Sequence, residues 1–463
     1  MSTTTTRARP GLGSGFQAQL ASTGLANLGD GLLATLAPLV ALSLTTSPVM
    51  ISALTAATWL PWLLFGVTVG VIIDRSDRRR AQIVALMARA SILTAGAVLG
   101  QLGRLTSWAL IGLMLLYGLT EVFADLAAGS IVPELVPADR LPAANGRLLG
   151  VQQVANTFLG APLAGVLIVL GAGIGLGVAA GLAALAAMTL VVGLRGDFRI
   201  HADGAPARPL EQVKEGLAFL FRHSVLRPLV ITSSLLNLAS TAYFAVFVLW
   251  VVGPNSAVGL EAAFYPLLTL GLAVGAVAGS MATDRLQRRF GEVRTMLACL
   301  VASVLLLLVP VLWPAAWAIG GAAALIGFTN TVGNVLSLSL RQRLVPGPLL
   351  GRIGGAARTL SYGLMPLGAL LGGLLAQQAG LAATFYAAVV VSLLACGYLA
   401  LALRPAGDRC VADHHGHHDV VPDEAESDTA GSDSEDHLRL DAGDLHLHAR
   451  IFPGRSRDLL GVE

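Results

Sequence analysis

Lysine is almost missing from this chain of 463 residues: Lys214 is its one lysine among 30 Lys+Arg. Charge of either sign is also scarce, 13% against 55% hydrophobic residues, where a soluble globular domain carries about 25%. That balance excludes a water-soluble domain. Cysteine is limited to Cys299 and Cys396, inside apolar runs, and Cys410. No pairing pattern follows, so no disulfide framework is expected. No Walker-type loop is present, which argues against nucleotide hydrolysis, and no catalytic constellation marks an enzyme. No cofactor or nucleic-acid partner is implied. The abundance of Arg, Ala, Gly and Leu suggests a GC-rich bacterial genome.

The charges that do occur are segregated. Residues 405–463 hold 14 of the 28 acidic residues and 7 of the 9 histidines, so the overall +2 conceals a basic body and an acidic tail. The body breaks into runs long enough to span a bilayer, which takes about 20 apolar residues. They fall at roughly 16–44, 49–72, 81–101, 106–130, 144–170, 174–194, 228–252, 262–282, 294–312, 315–340, 354–378 and 382–403. The first run is longer than the ~7–15-residue core of a cleaved signal peptide, so it is expected to stay as a helix. Arginine loads one set of loops: Arg7/Arg9, Arg75–Arg80, Arg140/Arg147, Arg195–Arg227, Arg285–Arg294, Arg341–Arg358 and Arg404. The other side has Arg104. The positive-inside rule makes the first side cytoplasmic, with both termini inside a bacterial plasma membrane. Trp108, Trp250, Trp313 and Trp317 then fall near the outer boundary.

The chain also repeats itself. Asp-Arg-x-x-Arg-Arg occurs at Asp74–Arg79 and again at Asp284–Arg289, an offset of 210. Gly118-Leu-Thr-Glu121-x3-Asp125 recurs as Gly327-Phe-Thr-Asn330-x3-Asn334, and Asn27-Leu-Gly-Asp30 as Asn237-Leu-Ala-Ser240. A unit of six helices keeps its topology when repeated, so the fold expected is an all-α membrane protein of two six-helix parallel repeats. The domains read as a cytoplasmic N-terminus 1–15, a first bundle 16–194, a linker 195–227, a second bundle 228–403 and a tail 404–463. In the linker Leu210, Val213, Leu217, Leu220 and Phe221 oppose Glu211, Lys214, Glu215 and Arg222, the pattern of an amphipathic helix on the membrane surface. The tail is acidic and polar, the composition of disorder.

Gly70-x3-Asp74-Arg75-x2-Arg78-Arg79-Arg80 resembles the signature loop of the major facilitator superfamily, and the 6+6 helices and central linker extend that likeness over about residues 16–403. The resemblance implies a cytoplasmic gate of Gly70, Asp74, Arg75, Arg78 and Asp125, with Asp284, Arg285 and Arg288 as its second copy. Asp74 would sit at the N-terminus of helix 11 and Arg78 would pair with Asp125. Simple positive-inside anchoring is the alternative. Asp77 stands where the superfamily usually has glycine; aspartate tolerates a left-handed backbone better than most residues. The second hairpin, with longer glycine spacing, is expected to pack less tightly. Leu-Gly-Asp30, the loop and Leu-Val-Pro137 with Asn145 and Arg147 are similar to the macrolide-efflux and enterobactin-exporter branch, which favours export.

Asp30 lies mid-span, where a charge costs at least ~2.5–3.5 kcal/mol. Its repeat mate is Ser240, and those of Glu121 and Asp125 are Asn330 and Asn334. Asp30 and Glu121 are therefore the candidates for exchanging a coupling proton; a paired acid that orders helix packing is the alternative. Asn156-x3-Gly160-Ala-Pro162-x2-Gly165 looks like a loosened antiporter motif. No basic residue lies within helix 4, and Arg104 is too near the outer end to replace it. Cavity candidates are Asn27, Trp62, Gln153, Asn156, Asn237, Tyr243, Tyr265, Asn330 and Tyr362. Amides and aromatics on apolar helices suit a bulky amphiphile. His414, His415, His417 and His418 form a weak, adventitious metal-binding candidate. The function expected is proton-coupled efflux of a hydrophobic or amphiphilic small molecule by a monomer in the bilayer. Uptake is the rival, and a sensor or scaffold using the tail a remote one.

Overall fold

The computed structural model of the protein describes residues 13–137, 140–196, 198, 218, 220–344 and 360–415. Twelve helices among them are long and apolar enough to cross a membrane. They are α1 Ser14–Leu44, α2 Pro48–Ile73, α3 Arg78–Gln101, α4 Ser107–Leu135, α5 Ala143–Leu170, α6 Ala172–Gly193, α7 Leu226–Val251, α8 Ala262–Phe290, α9 Glu292–Leu312, α10 Ala316–Leu340, α11 Leu360–Ala379 and α12 Leu381–Leu403. The described residues contain no β-strand, only an isolated bridge between Val252 and Leu260. Three junctions shrink to one glycine: Gly171 between α5 and α6, Gly291 between α8 and α9, and Gly380 between α11 and α12. All three have positive φ (110°, 81° and 89°), a conformation other residues rarely accept.

The packing repeats with the sequence. α2 packs on α4 and α8 on α10; α3 on α4 and α9 on α10; α1 on α5 and α7 on α11. With no hydrophobic drive between helices in lipid, close backbone approach must hold them, and glycine permits it. A Cβ on Gly160 of α5 would lie 2.8 Å from the amide nitrogen of Leu32 on α1. Gly368 of α11 meets the backbone of Leu238 on α7 in the same way. Five residues further on, Gly165 meets the carbonyl of Ala263 (2.6 Å) and Pro266 on α8, and Gly373 meets Ser52 and Pro48 on α2. Each repeat thus spends its first glycine on its own bundle and its second on the other. The contacts joining the bundles concentrate in the helix halves away from the arginine loops. There Leu32, Leu36, Ile51 and Leu54 share a core with Val246, Val248, Val251 and Phe385.

Two irregular helices have local causes. Pro162 has no N–H to close the turn with Phe158, and residues Val154–Gly160 relax into a π-helical segment. In α9 the helix breaks at Leu307–Leu308 ahead of Pro310. The hydroxyl of Tyr243 donates to the carbonyl of Leu307 (3.0 Å) and the indole of Trp250 to that of Pro310 (2.9 Å), which supplies donors at the carbonyls of the break. Near the start of α7, the Nδ1 atom of His223 accepts from the amides of Val225 and Leu226. Burial pushes this imidazole below its ordinary pKa.

Two expectations need correction. α8 does not end near residue 282; it runs to Phe290, so Asp284–Arg289 lies on its last two turns and not in a hairpin loop. The first copy has Ser76-Asp77 to stop one helix and cap the next, whereas the second has Leu286-Gln287 and continues until Gly291. Nor is the second copy looser: Gly275 and Gly279 press on the backbone of Ala324 and Phe328 of α10, while nothing described comes within 4 Å of a Cβ on Gly70. The last helix runs past residue 404 to His415, since extending a helix needs no new nucleus. The amphipathic helix assigned to the linker lies mostly outside the described residues, as do the N-terminal arginines, Arg358 and the tail beyond His415.

Leucine at Gly165 or Gly373 should overpack the junction between the bundles and cost about 1–3 kcal/mol or more. The expected result is a lowered melting temperature in detergent and loss of transport. Gly181→Ala, where a Cβ meets nothing within 4 Å, should leave both unchanged.

Candidate functional site

Asp30 sits at the middle of the 31-residue α1, and the structure brings a cation to it that the sequence reading missed. Arg89, on α3, is 3% exposed and lies between Asp30 and Glu121. Its Nη1 donates to Asp30 Oδ1 at 2.7 Å, its Nη2 to Glu121 Oε2, and its Nε to Thr120 Oγ1 at 3.4 Å. The guanidinium also lies 4.9 Å from the centre of the Tyr117 ring, whose hydroxyl donates to the same Asp30 Oδ1 at 2.7 Å. Tyr117, Thr120 and Glu121 reach one point because i, i+3 and i+4 share a helix face. Lysine could not span this set, since it lacks the planar fork of donors. The signal for Arg89 was present in the sequence: it is an ionisable residue inside a spanning segment. The intramembrane cation of this protein lies on α3 and not on α4.

Two carboxylates against one guanidinium leave one negative charge without a cationic partner in this cluster. Both bonds to Asp30 fall on Oδ1, and the side chains of Asp30 and Glu121 are 13% and 20% exposed. The cluster is therefore tightly held yet open to something small. Asp125, one turn beyond Glu121, is exposed and within electrostatic reach of Arg89.

At the arginine-loop end, Arg78 pairs with Glu134 and donates to the carbonyl of Ser130 (2.9 Å). This corrects the expected pairing with Asp125. Glu134 is nine residues further along α4, about 13.5 Å in rise and about half a turn in direction, so one arginine at the start of α3 reaches the end of α4 and not its middle. Asp77 does not adopt a left-handed turn; its φ of −67° is extended, and its carboxylate caps α3 by accepting from the amides of Arg79 and Arg80. Arg75 is exposed just after α2. The side chain of Asp74 and residues 345–359, which precede α11, lie outside the described residues. Asp284, Arg285 and Arg288 are exposed on α8 and make no ion pair among the described residues.

Three cavity candidates converge between α2, α7 and α11. The ring of Tyr362 meets Trp62 edge-on at 5.9 Å and Trp59 at 5.6 Å, and Asn237 donates to the carbonyl of Ser361 (3.2 Å). The others do not join them. Asn27 donates to Thr23 of its own helix, Gln153 to Thr157, and Asn156 lies in the π-segment against Gly31. Asn330 is exposed. Tyr243 is 1% exposed, stacks with Phe247 and lies tilted against Phe385, so it belongs to the core; its hydroxyl donates to the break in α9. Tyr265 packs beside Phe247. His414 and His415 lie on the last helix, whereas His417 and His418 fall outside the described residues.

Known proteins resemble this chain both in sequence and in fold. Multidrug efflux pump Tap of Mycobacterium tuberculosis is 27% identical over 408 residues, covering 83% of this chain and 92% of Tap. An uncharacterized MFS-type transporter, y4rN of Sinorhizobium fredii, is 26% identical over 400 residues, 83% of this chain and 93% of that one. Among solved structures, the nucleoside transporter NupG superposes with a TM-score of 0.64 at 13% identity, covering 84% of this chain and 98% of NupG. A bacterial homologue of the lysosomal transporter Spinster, inward-facing, gives 0.61 at 16% identity, covering 86% and 98%; at such identities the likeness is one of fold. Residues 14–426 match the family described as transmembrane secretion effector. The chain belongs to that family, and is a multi-pass major facilitator superfamily transporter, not an enzyme.

Proposed function

We propose that this transporter exports a hydrophobic or amphiphilic small molecule in exchange for protons, and that Asp30 with Glu121 forms the exchanging site. The observation that carries this reading is the Arg89 cluster, in which one guanidinium holds two carboxylates. The uncompensated charge can be met by a proton in one stage of the cycle and vacated in another, and Tyr117 and Thr120 hold the geometry while it changes. Efflux is supported by the named relatives. The amphiphilic cargo is supported by Trp59, Trp62 and Tyr362 beside Asn237, an aromatic and amide wall without fixed charge. Bundle contacts concentrated away from the arginine loops fit a state open toward that side, which the positive-inside rule makes cytoplasmic. The Arg78–Glu134 pair then ties the ends of α3 and α4 so that they move as one piece at the gate.

The test is proteoliposomes under an imposed pH gradient, screened against amphiphilic antibiotics. Asp30→Asn should abolish substrate-driven proton movement and leave the melting temperature unchanged or higher, because Arg89 and Glu121 then balance one to one. Unchanged coupled transport in this variant would sink the proposal. Arg89→Leu strands two buried carboxylates and should lower stability by about 3–5 kcal/mol, read as a fall in melting temperature together with lost transport. Arg78→Glu and Glu134→Arg should each slow transport, and the double exchange should recover part of the rate. Substrate accumulation instead of depletion in intact cells would favour uptake.

A further inference from the structure

A second place where charge and apolar surface meet lies outside the bundle interior. α2, α3 and α4 enclose a groove of about 690 Å³ at their arginine-loop ends. Its walls are apolar: Ile72 of α2 and Val84 of α3 are 51% and 66% exposed, on helices that span the membrane, with Ala88 and Phe123 further in. Two guanidiniums stand at its end. Arg75 is exposed and its side chain has no partner among the described residues. The side chain of Arg80 is 73% exposed and, among the described residues, pairs with Asp77 Oδ2 at 3.2 Å. The Asp77 carboxylate is itself 6% exposed and engaged in capping α3, so the described lining of the groove holds two arginines against one acid.

We propose that this groove holds an acidic phospholipid, with its phosphodiester on Arg75 and Arg80 and an acyl chain along Ile72, Val84 and Ala88. Guanidinium is the group best matched to a phosphate ester, which it meets with paired donors. A soluble phosphate compound would leave the apolar walls uncovered, whereas a lipid of the same leaflet covers them with its own chain. The arginine-rich side is also the side on which anionic lipid attracts basic residues close to the membrane. The groove extends to Thr120, the residue that accepts from Arg89, so an occupied groove packs against the helix that carries Glu121.

Native mass spectrometry of the full-length chain, titrated with phosphatidylglycerol and phosphatidylcholine of identical chains, tests this. Phosphatidylglycerol should be retained about fivefold more, the worth of one net positive charge at an anionic surface. Arg75→Gln with Arg80→Gln should reduce retention to the phosphatidylcholine level, and Arg75→Lys with Arg80→Lys should keep part of the preference. Ala88→Trp, which fills the groove and leaves both arginines, should weaken retention of both lipids. A photocrosslinker at position 88 should label lipid. Equal retention of the two lipids, retention unaffected by these variants, or labelling of a peptide from residues 405–463 would each overturn the assignment; the last would assign the arginines to the chain's own acidic tail.

Discussion

A charge inside a bilayer must find its partner inside the protein, and the first bundle is arranged around that constraint. Arg89 alone would be costly in the middle of α3, and so would Asp30 in the middle of α1 or Glu121 in α4. Brought together they neutralise most of one another, and the hydroxyls of Tyr117 and Thr120 take up remaining bonds. Three helices are thereby set in register by one guanidinium. The cluster is a structural solution that retains an imbalance, because one arginine cannot cancel two acids. That residual charge is what separates it from a balanced salt bridge, and it is the basis of the proton exchange proposed for this site.

The second bundle shows what happens when the constraint is absent. At the repeat offset of 210, Arg89 corresponds to Cys299 and Asp30 to Ser240, and at the offset of 209 that relates α4 to α10, Glu121 corresponds to Asn330. The whole cluster is replaced by neutral residues together, as expected if no member is tolerable alone. What both bundles keep is glycine. Gly160 and Gly165 recur as Gly368 and Gly373, one facing its own bundle and one facing the other. Packing has been preserved through the duplication while the electrostatics have become one-sided, so the two bundles share a frame and differ in chemistry.

Hydropathy and loop charge were enough to place the twelve spans, since length and apolarity are read directly from the chain. They misplaced the end of α8, because a helix that leaves the membrane with Leu286 and Gln287 still ahead has no reason to stop at its last apolar residue. Asp30 and Glu121 stood out as acids in apolar runs. Arg89 did not, because arginine in this chain mostly marks loops, and a residue in mid-span looks the same in sequence whether it is buried or facing lipid. Tyr243 was misjudged for the related reason that an aromatic on a helix lining the bundle can turn toward the core. The Arg78 partner differs from the expected one because Asp125 and Glu134 are equivalent in composition and are told apart by their height along α4 and their helix phase, which depend on where α3 begins beside α4.

By itself, then, the sequence determined the class of protein, its twelve spans, its duplication and the polypeptide segments that carry charge, because each of these depends on local composition and periodicity. Only the tertiary structure decided which acid meets which arginine, which aromatics form a wall and which form a core, and where the two bundles touch. Those outcomes depend on the rotation and spacing of helices far apart in the chain, and in this protein glycine backbones set that spacing to within a single Cβ atom.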